Sequence, residues 1–191
     1  MELITQYAAI MLPNYKNIRY FVQDESRFGL KTIEGRTITL KGVKPIGELQ
    51  WQFKAFWLYG AVEPLTGDSF FWQFSHVDTE CYQQFLNEFA ACHRDTLNII
   101  QADNGLFHKA KKLQIPENII LLFQPPYSPE LNPIERVWQY LKQDLKWELF
   151  ENLDNLRSKV AQLLAQLTPE IVASLTGYDY ILNALSVANI F

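Results

Sequence analysis

Three acidic side chains stand where the sequence predicts that a strand ends or a helix begins. Asp24 follows the strand-like run at residues 17–23, and Asp103 follows the run at residues 97–102. The first run is rich in β-branched and aromatic residues. Glu135 stands in the first turn of an amphipathic helix. Carboxylate oxygens are the ligands that Mg²⁺ prefers, and two such ions about 3.5–4 Å apart support phosphoryl transfer. The three acids therefore indicate a metal-dependent phosphoryl-transfer site.

Each acid also has an ordinary structural interpretation. If Asn132 is the helix N-cap and Pro133 the first helical residue, Glu135 is the reciprocal partner in a capping box. The Asp-Asn-Gly triplet that begins at Asp103 is most often a turn. The metal site requires the strands before Asp24 and Asp103 to be neighbours. Their ends would then lie about 4.7–4.9 Å apart, close enough for two carboxylates to share a cation.

The elements that would position these acids alternate in the manner of an α/β protein. An antiparallel meander is predicted from strands at residues 17–23, 37–40, 52–62 and 69–74. Two later strands, at 97–102 and 118–123, alternate with helices at 81–92 and 108–113 and with the helix after Pro133. Two more helices are predicted at 152–167 and 169–188. Because strands joined through a helix pair in parallel, this order predicts a mixed sheet with flanking helices on both faces.

Composition narrows the class of protein. The chain of 191 residues is 48% hydrophobic and 20% charged, which favours one globular domain with a substantial core. It lacks a long apolar run and a signal-peptide pattern, so a cytoplasmic protein without membrane contact is the default prediction. The two cysteines support neither a disulfide framework nor a zinc site. The net charge of −4 argues against a nucleic-acid partner, although residues 16–54 carry eight Lys/Arg against four Asp/Glu, which permits one basic face.

Three segments resemble the catalytic blocks of DDE transposases of the mariner-type superfamily, in its bacterial insertion-sequence (IS six-thirty) branch. They are VQDESRFG, IIQADNGLFHKA and PPYSPELNPIERVWQYLK, and the third is the most specific. The resemblance covers roughly residues 18–150. It implies a ribonuclease H-like fold and metal-dependent cutting and joining of transposon DNA ends. It also implies that Asp24, Asp103 and Glu135 are the catalytic acids and bind two Mg²⁺ or Mn²⁺ ions.

Further residues are candidates for supporting roles, each with an ordinary solvent-exposed position as the alternative. Glu25 and Asn104 adjoin the acids and are predicted to orient them or bound water. Gln139 and Lys142 follow Glu135 by four and seven residues, on the same helix face. Candidates for contacts with the DNA backbone are Lys142, Gln139, His108, Lys109, Arg27 and Lys44.

The resemblance also predicts the organisation of the chain and its partners. We expect a helical lead-in at residues 1–16, a ribonuclease H-like catalytic domain at 17–150 and a C-terminal helical extension at 151–191. Full-length members of the family carry helix-turn-helix modules, which 16 residues cannot hold. We therefore expect a catalytic half from a truncated element or a two-frame gene. Its expected partners are DNA, a second copy in a homodimer and, as one option, a separate helix-turn-helix polypeptide.

Two rival functions stay open at this point. One is a ribonuclease H-like nuclease that cuts nucleic acid without joining it. The other is an inactive remnant that only binds DNA or partner proteins. The specific third block argues against the first rival, and the presence of all three acids argues against decay of the site.

Overall fold

The computed structural model describes residues 14–35, 40–42, 47–110, 112–125 and 132–188, and every structural statement below concerns these residues. Most of the predicted helical lead-in and of the predicted strand at 37–40 lies outside the described residues. The same is true of Lys44 and of most of the proline-rich loop that precedes Asn132.

Five strands form one mixed sheet. They are β1 (Ile18–Gly29), β2 (Ala55–Val62), β3 (Ser69–Phe74), β4 (Leu97–Ala102) and β5 (Ile119–Phe123). The order across the sheet is β3-β2-β1-β4-β5. Strands β1, β2 and β3 pair antiparallel as a meander, while β1, β4 and β5 pair in parallel. The predicted combination of an antiparallel meander with parallel strands is therefore confirmed.

Five helices cover the sheet. They are α1 (Thr79–Cys92), α2 (Ile134–Gln143), α3 (Leu153–Gln166), α4 (Pro169–Thr176) and α5 (Asp179–Val187). Helix α1 begins where the Asp78 carboxylate accepts a hydrogen bond from the Cys81 backbone N–H, as expected for an N-cap. None of the helices in the described ranges is long and apolar enough to cross a membrane.

The helices pack on opposite faces of the sheet because successive β1 side chains alternate between two cores. Tyr20, Val22 and Phe28 belong to a core shared with α2 to α5. Phe21 belongs to a second core with α1. The same alternation directs Asp24 toward the face of α2 and its neighbour Glu25 toward the face of α1.

Helices α3 to α5 extend the first core, to which they contribute Leu156, Val172 and Ile181 among other buried residues. The proposed boundary between a catalytic domain and a helical extension at residue 150 stays a prediction. The predicted single helix at 169–188 is wrong, because the chain breaks into α4 and α5 at Gly177 and Tyr178. A Cβ on Gly177 would lie 2.7 Å from the Ala173 carbonyl oxygen, so this close turn requires glycine.

Two further local predictions differ from the structure. The predicted helix at 108–113 is absent from the described residues, where a turn occupies 106–109. Strand β1 does not end before Asp24 but continues to Gly29. The polar run after Val22 stays extended because β2 pairs with it, in register from Val22 opposite Val62 to Gly29 opposite Ala55.

Candidate active site

The parallel register of β1 and β4 places Asp24 and Asp103 side by side. The last paired residues of the two strands are Val22 and Gln101. Asp24 and Asp103 each lie two residues further along, just past the end of this pairing. Because neighbouring strands lie about 4.7–4.9 Å apart, the two backbones carry these acids at the same level of the sheet. Strands β1 and β4 are therefore neighbours, as the predicted metal site requires.

Asp24 is a partly buried carboxyl with acidic neighbours. Burial, followed by the negative charges of Glu25 and Glu135, raises the pKa of Asp24 to about 7. A hydrogen bond from the indole of Trp138 acts in the opposite direction: its Nε1–H donates to Oδ2 of Asp24 at 2.9 Å. This one donor does not offset burial and two like charges, so the pKa of Asp24 stays raised.

Trp138 is held in this position by its packing. Its side chain is 2% exposed, and its ring lies edge-on to Phe71 at a centroid distance of 5.9 Å. Gly60 on β2 faces the Trp138 ring, and an added Cβ at Gly60 would lie 2.6 Å from that ring. The sequence predicted Trp138 only as a core residue. The sequence signal for its hydrogen bond to Asp24 was the three-residue spacing from Glu135, which places both side chains on one side of α2.

Glu135 lies exposed in the first turn of α2, close enough to Asp24 to affect its pKa. The alternative role of Glu135 in a capping box is not observed. The helix begins after Pro133 with no side-chain cap, so the prediction of Asn132 as N-cap is wrong. Asn132 instead donates from Nδ2 to the Gln23 carbonyl oxygen at 3.2 Å, which ties the start of α2 to β1.

Asp103 points toward a histidine in the turn that follows β4. Its Oδ1 accepts hydrogen bonds from the Gly105 backbone N–H at 2.7 Å and from His108 Nδ1 at 2.7 Å. The bond from His108 is the main reason why the pKa of Asp103 lies below its usual value. Both bonds use Oδ1, which leaves Oδ2 outside these two contacts.

His108 links Asp103 to Glu25. Its side chain is 1% exposed, and Nε2 lies 3.1 Å from Glu25 Oε1, which also accepts from Gln23. Burial lowers the pKa of His108, but hydrogen bonds to Asp103 and Glu25 outweigh burial and raise it to about 9. The imidazole is therefore charged at neutral pH. Its burial is inconsistent with the predicted contact to a DNA phosphate, because Tyr82 and Phe107 enclose the ring at centroid distances of 4.3 and 4.0 Å.

The three acids do not form one close cluster. Asp24 and Glu135 interact electrostatically on the α2 side, while the carboxylate of Asp103 turns to His108. In the part of the chain that the structure describes, one group of three His, Cys or acidic side chains has all its ligand atoms within 4.8 Å, namely His76, Asp78 and Cys81. That group lies at the start of α1 and includes none of the three predicted acids.

The remaining candidates on the α1 side take part in local contacts. Glu25 is a hydrogen-bond partner of His108, whose other ring nitrogen bonds Asp103. Asn104 donates from Nδ2 to the Gln124 carbonyl oxygen and accepts from Lys109. The ammonium group of Lys109 also lies 4.7 Å from the centre of the Phe123 ring. These contacts fix the turn after β4.

The candidates on α2 face the acids. Gln139 is exposed and lines a cleft together with Glu135. Lys142 is partly buried and lies over the Phe28 ring at 5.3 Å. Burial lowers the pKa of Lys142 against the opposing effects of Glu135 and Asp24, so its ammonium group lies within electrostatic reach of both acids. Arg27 is exposed on β1 and donates to the Phe53 carbonyl oxygen at 2.9 Å.

The sheet order, the acids at the carboxyl edge of β4 and at the start of α2, and helices on both faces define a ribonuclease H-like fold. The chain belongs to the DDE superfamily endonuclease family, which matches residues 19–157. The family and fold predicted from the three sequence blocks are therefore confirmed, as is the prediction of a DNA-cleaving enzyme class.

The chain is also similar to individual proteins. A curated relative, the uncharacterized protein y4pE/y4sA of Sinorhizobium fredii (strain NBRC 101917 / NGR234), is 35% identical over 102 residues. These cover 52% of this chain and 76% of the relative. Among solved structures, the Mos1 mariner paired-end complex with Mn matches with a TM-score of 0.67 and 16% identity over 92% of this chain. The Mos1 transposase paired-end complex with left transposon end matches with a TM-score of 0.66 and 14% identity over 92%. At these identities the likeness establishes the fold, and this chain spans 55% of the Mos1 chains.

Proposed function

We propose that this chain is the catalytic domain of a transposase that cuts DNA strands at transposon ends and joins them to a target. One observation carries the proposal: the register of β1 and β4 sets Asp24 level with Asp103, and Glu135 acts electrostatically on Asp24 from α2. Three acids at one edge of the sheet, in a member of a DDE endonuclease family, match the chemistry of phosphodiester cleavage.

We propose Asp24, Asp103 and Glu135 as the ligands of Mg²⁺ or Mn²⁺, two ions in all. The residues fit such ions because burial, followed by the negative charges of Glu25 and Glu135, raises the pKa of Asp24 to about 7, and a bound cation would compensate these charges. The donor set is all oxygen, as Mg²⁺ and Mn²⁺ prefer. Bound ions would activate a water molecule or a 3′-hydroxyl of the DNA as the nucleophile, and they would stabilise the leaving oxygen.

The protein's own side chains prepare the acids for this role. Trp138 fixes one oxygen of Asp24, and His108 fixes Oδ1 of Asp103. Lys142 brings a positive charge to within reach of Asp24 and Glu135, where a DNA phosphate would come to lie. The charge of Lys142 would attract that phosphate, and Gln139 on the same helix face offers an amide for a further contact. Exposed Arg27 and Lys109 remain candidates for contacts further along the backbone.

DNA is the proposed partner. The Mos1 structures are paired-end complexes, one of them with a transposon end, and by analogy we propose that two copies of this chain act together. We further propose that a helix-turn-helix segment, on a separate polypeptide or outside these 191 residues, recognises the transposon ends. Such an enzyme would act on DNA in the bacterial cytoplasm, at the nucleoid.

The proposal is tested with supercoiled plasmid DNA and Mn²⁺ at low salt. The wild-type chain should convert the plasmid to nicked circles, and it should join a labelled oligonucleotide through its 3′-hydroxyl to the plasmid. Glu135→Gln should abolish both reactions and leave DNA binding nearly unchanged, because the acid is needed for chemistry. Glu80→Gln is a matched control, since Glu80 is an exposed first-turn glutamate of α1.

The rival functions give different results in the same assay. Nicking without joining would identify a nuclease, and DNA binding without either reaction would identify an inactive remnant. A thermal melt measures the metal site separately. Mn²⁺ should raise the melting midpoint of the wild type, because a ligand that binds the native state stabilises it, and Asp103→Asn should remove most of that rise. Equal rises in both proteins would disprove the ligand assignment.

A further inference from the structure

A second group of side chains with metal-binding atoms lies at the start of α1. His76, Asp78 and Cys81 each offer one ligand atom, and these three atoms all lie within 4.8 Å of one another. The group occupies the connection from β3, which ends at Phe74, to α1, which begins at Thr79. It shares no residue with the proposed catalytic acids, so a metal ion bound here would be separate from the proposed Mg²⁺ or Mn²⁺ ions.

Local contacts hold the three side chains toward one another. Asp78 Oδ1 accepts a hydrogen bond from the Cys81 backbone N–H at 2.8 Å, which closes the first turn of α1 and sets the thiol beside the carboxylate. The other carboxylate oxygen, Oδ2, lies 2.8 Å from His76 Nε2. Ser75 Oγ lies 2.7 Å from the second ring nitrogen of His76, Nδ1, and fixes the orientation of the imidazole. The group is therefore arranged before any ion binds.

An ion pair and a helix cap account for only two members of this group. The contact between His76 and Asp78 is explained by charge, and the Asp78 carboxylate also caps α1. Neither role involves the sulfur of Cys81, which is the third atom of the group. Cys81 is a free cysteine, so its sulfur is available to a metal ion. The side chains of His76 and Asp78 are 62% and 40% exposed, which gives an ion access from solvent.

The chemistry of the three atoms selects the class of metal. An imidazole nitrogen, a carboxylate oxygen and a thiolate sulfur suit Zn²⁺, whereas Mg²⁺ prefers oxygen alone. Tetrahedral zinc, with ligand distances of about 2.0–2.3 Å, holds its ligand atoms roughly 3.3–3.8 Å apart. Small side-chain rotations convert the present spacing into that geometry. With an ion on Nε2 of His76, the ring proton lies on Nδ1, where Ser75 Oγ accepts it, as is usual for ligating histidines.

We propose that His76 Nε2, Asp78 Oδ2 and the sulfur of Cys81 bind one Zn²⁺ ion, with a water molecule in the fourth position. The Cys81 thiol releases its proton to solvent when the ion binds. The ion ties the end of β3 to the first turn of α1 and so stabilises the folded chain. The sequence did not indicate this site because it lacks the paired cysteine spacing of common zinc sites. The inference does not depend on the proposed transposase activity.

The test titrates the chain with Co²⁺, a spectroscopic substitute for Zn²⁺, after removal of metals with EDTA and dialysis. One equivalent of Co²⁺ should produce the near-ultraviolet charge-transfer band of a thiolate–Co²⁺ bond. One equivalent of Zn²⁺ should remove the band, because Zn²⁺ binds such ligands more tightly than Co²⁺. Excess Mg²⁺ should leave the band unchanged, since Mg²⁺ prefers oxygen ligands. Zn²⁺ should also raise the melting midpoint.

Variants assign the band to this group. Cys81→Ser should abolish it, and His76→Gln should weaken Zn²⁺ binding. Asp78→Asn should also weaken Zn²⁺ binding but keep α1 intact, because asparagine caps a helix as well as aspartate does. Ser75→Ala should weaken binding about tenfold, as expected when a ligating histidine loses its outer hydrogen bond. The matched control is Cys92→Ser, which removes the exposed cysteine at the other end of α1 and should keep the band.

The outcomes separate this inference from the proposed function. A wild-type chain without the band, a band that persists in Cys81→Ser, or unchanged Zn²⁺ affinity in both His76→Gln and Asp78→Asn would overturn the zinc site. Asp103→Asn should keep the band, and its loss there would place the ion at the proposed catalytic acids instead. Melting midpoints measured without metal identify any variant that fails to fold. Plasmid nicking with Mn²⁺ tests the enzyme independently of every one of these results.

Discussion

The indole N–H of Trp138 donates a hydrogen bond to the carboxylate of Asp24 at 2.9 Å, across 114 positions of sequence. The bond joins the third residue after Glu135 to the proposed metal ligand on β1. It therefore couples the position of α2, which carries one proposed acid, to the side-chain orientation of another. Both partners are enclosed by the sheet and α2, where a charge-assisted hydrogen bond is stronger than in water.

Trp138→Phe should impair metal binding more than folding. Phenylalanine keeps most of the apolar packing but removes the N–H donor, and a hydrogen bond to a charged group contributes about 1.5–3 kcal/mol. We expect Mn²⁺ affinity and nicking rate to fall by about tenfold or more. The measurement is a Mn²⁺ titration of the melting midpoint, followed by plasmid nicking. Wild-type metal affinity in a well-folded variant would show that the indole only fills space.

Gly60→Ala should disturb the same bond from the other strand. The added Cβ would lie 2.6 Å from the Trp138 ring and 2.8 Å from the Phe71 ring, so both rings must move. Overpacking of this kind costs about 1–3 kcal/mol of stability. Gly29→Ala is the control on β1, because its added Cβ would meet its nearest neighbours at 3.1–3.2 Å. Urea unfolding of both variants compares the costs, and a smaller loss for Gly60→Ala would contradict the expectation.

Asp24 should make the metal-free protein less stable as the pH rises. Its pKa is 3.8 in the unfolded reference and about 7 in the folded protein. Between these values the folded state holds a proton that the unfolded chain has lost. The stability that Asp24 contributes is therefore complete below the lower value and is lost as the pH rises through the upper one, on the order of 4 kcal/mol at most. Solvent screening of this partly exposed group reduces that value.

The check compares wild type and Asp24→Asn by urea unfolding in EDTA between about pH 4 and pH 8. The variant cannot ionise at this position, so its stability should fall less over that range. Parallel curves for the two proteins would show that Asp24 is not the group responsible.

The contribution of His108 to folding stability should change in a higher pH range than that of Asp24. Its pKa is 6.5 in the unfolded reference and about 9 when folded. Its contribution is complete below the lower value and is lost as the pH rises through the upper one, on the order of 3 kcal/mol. His108→Gln should lack this loss between about pH 6.5 and pH 9. Exposed His76→Gln is the control, and a His108→Gln curve that follows the wild type would exclude the ion pair with Asp103 and Glu25.

Local patterns in the sequence were sufficient to predict much of this protein. Strand and helix periodicities identified the order of elements and the mixed sheet, because alternation and helical spacing are properties of short segments. Residue type and position at element ends identified Asp103 and Glu135 as candidates. The predicted strand end before Asp24 was misplaced because Asp, Glu and Ser suggest a strand end, whereas pairing with β2 keeps β1 extended to Gly29.

Only the tertiary structure decided how the candidates are held. The bond from Trp138 to Asp24 spans 114 positions and that from His108 to Glu25 spans 83, so no local pattern records them. Burial turned His108 from a predicted DNA contact into a buried link between two acids. The break at Gly177 depends on the close approach of the chain to Ala173, and it forms one wall of the cleft beside Glu135. These features arise from contacts between elements remote in sequence, whereas the sequence pattern reports which elements exist.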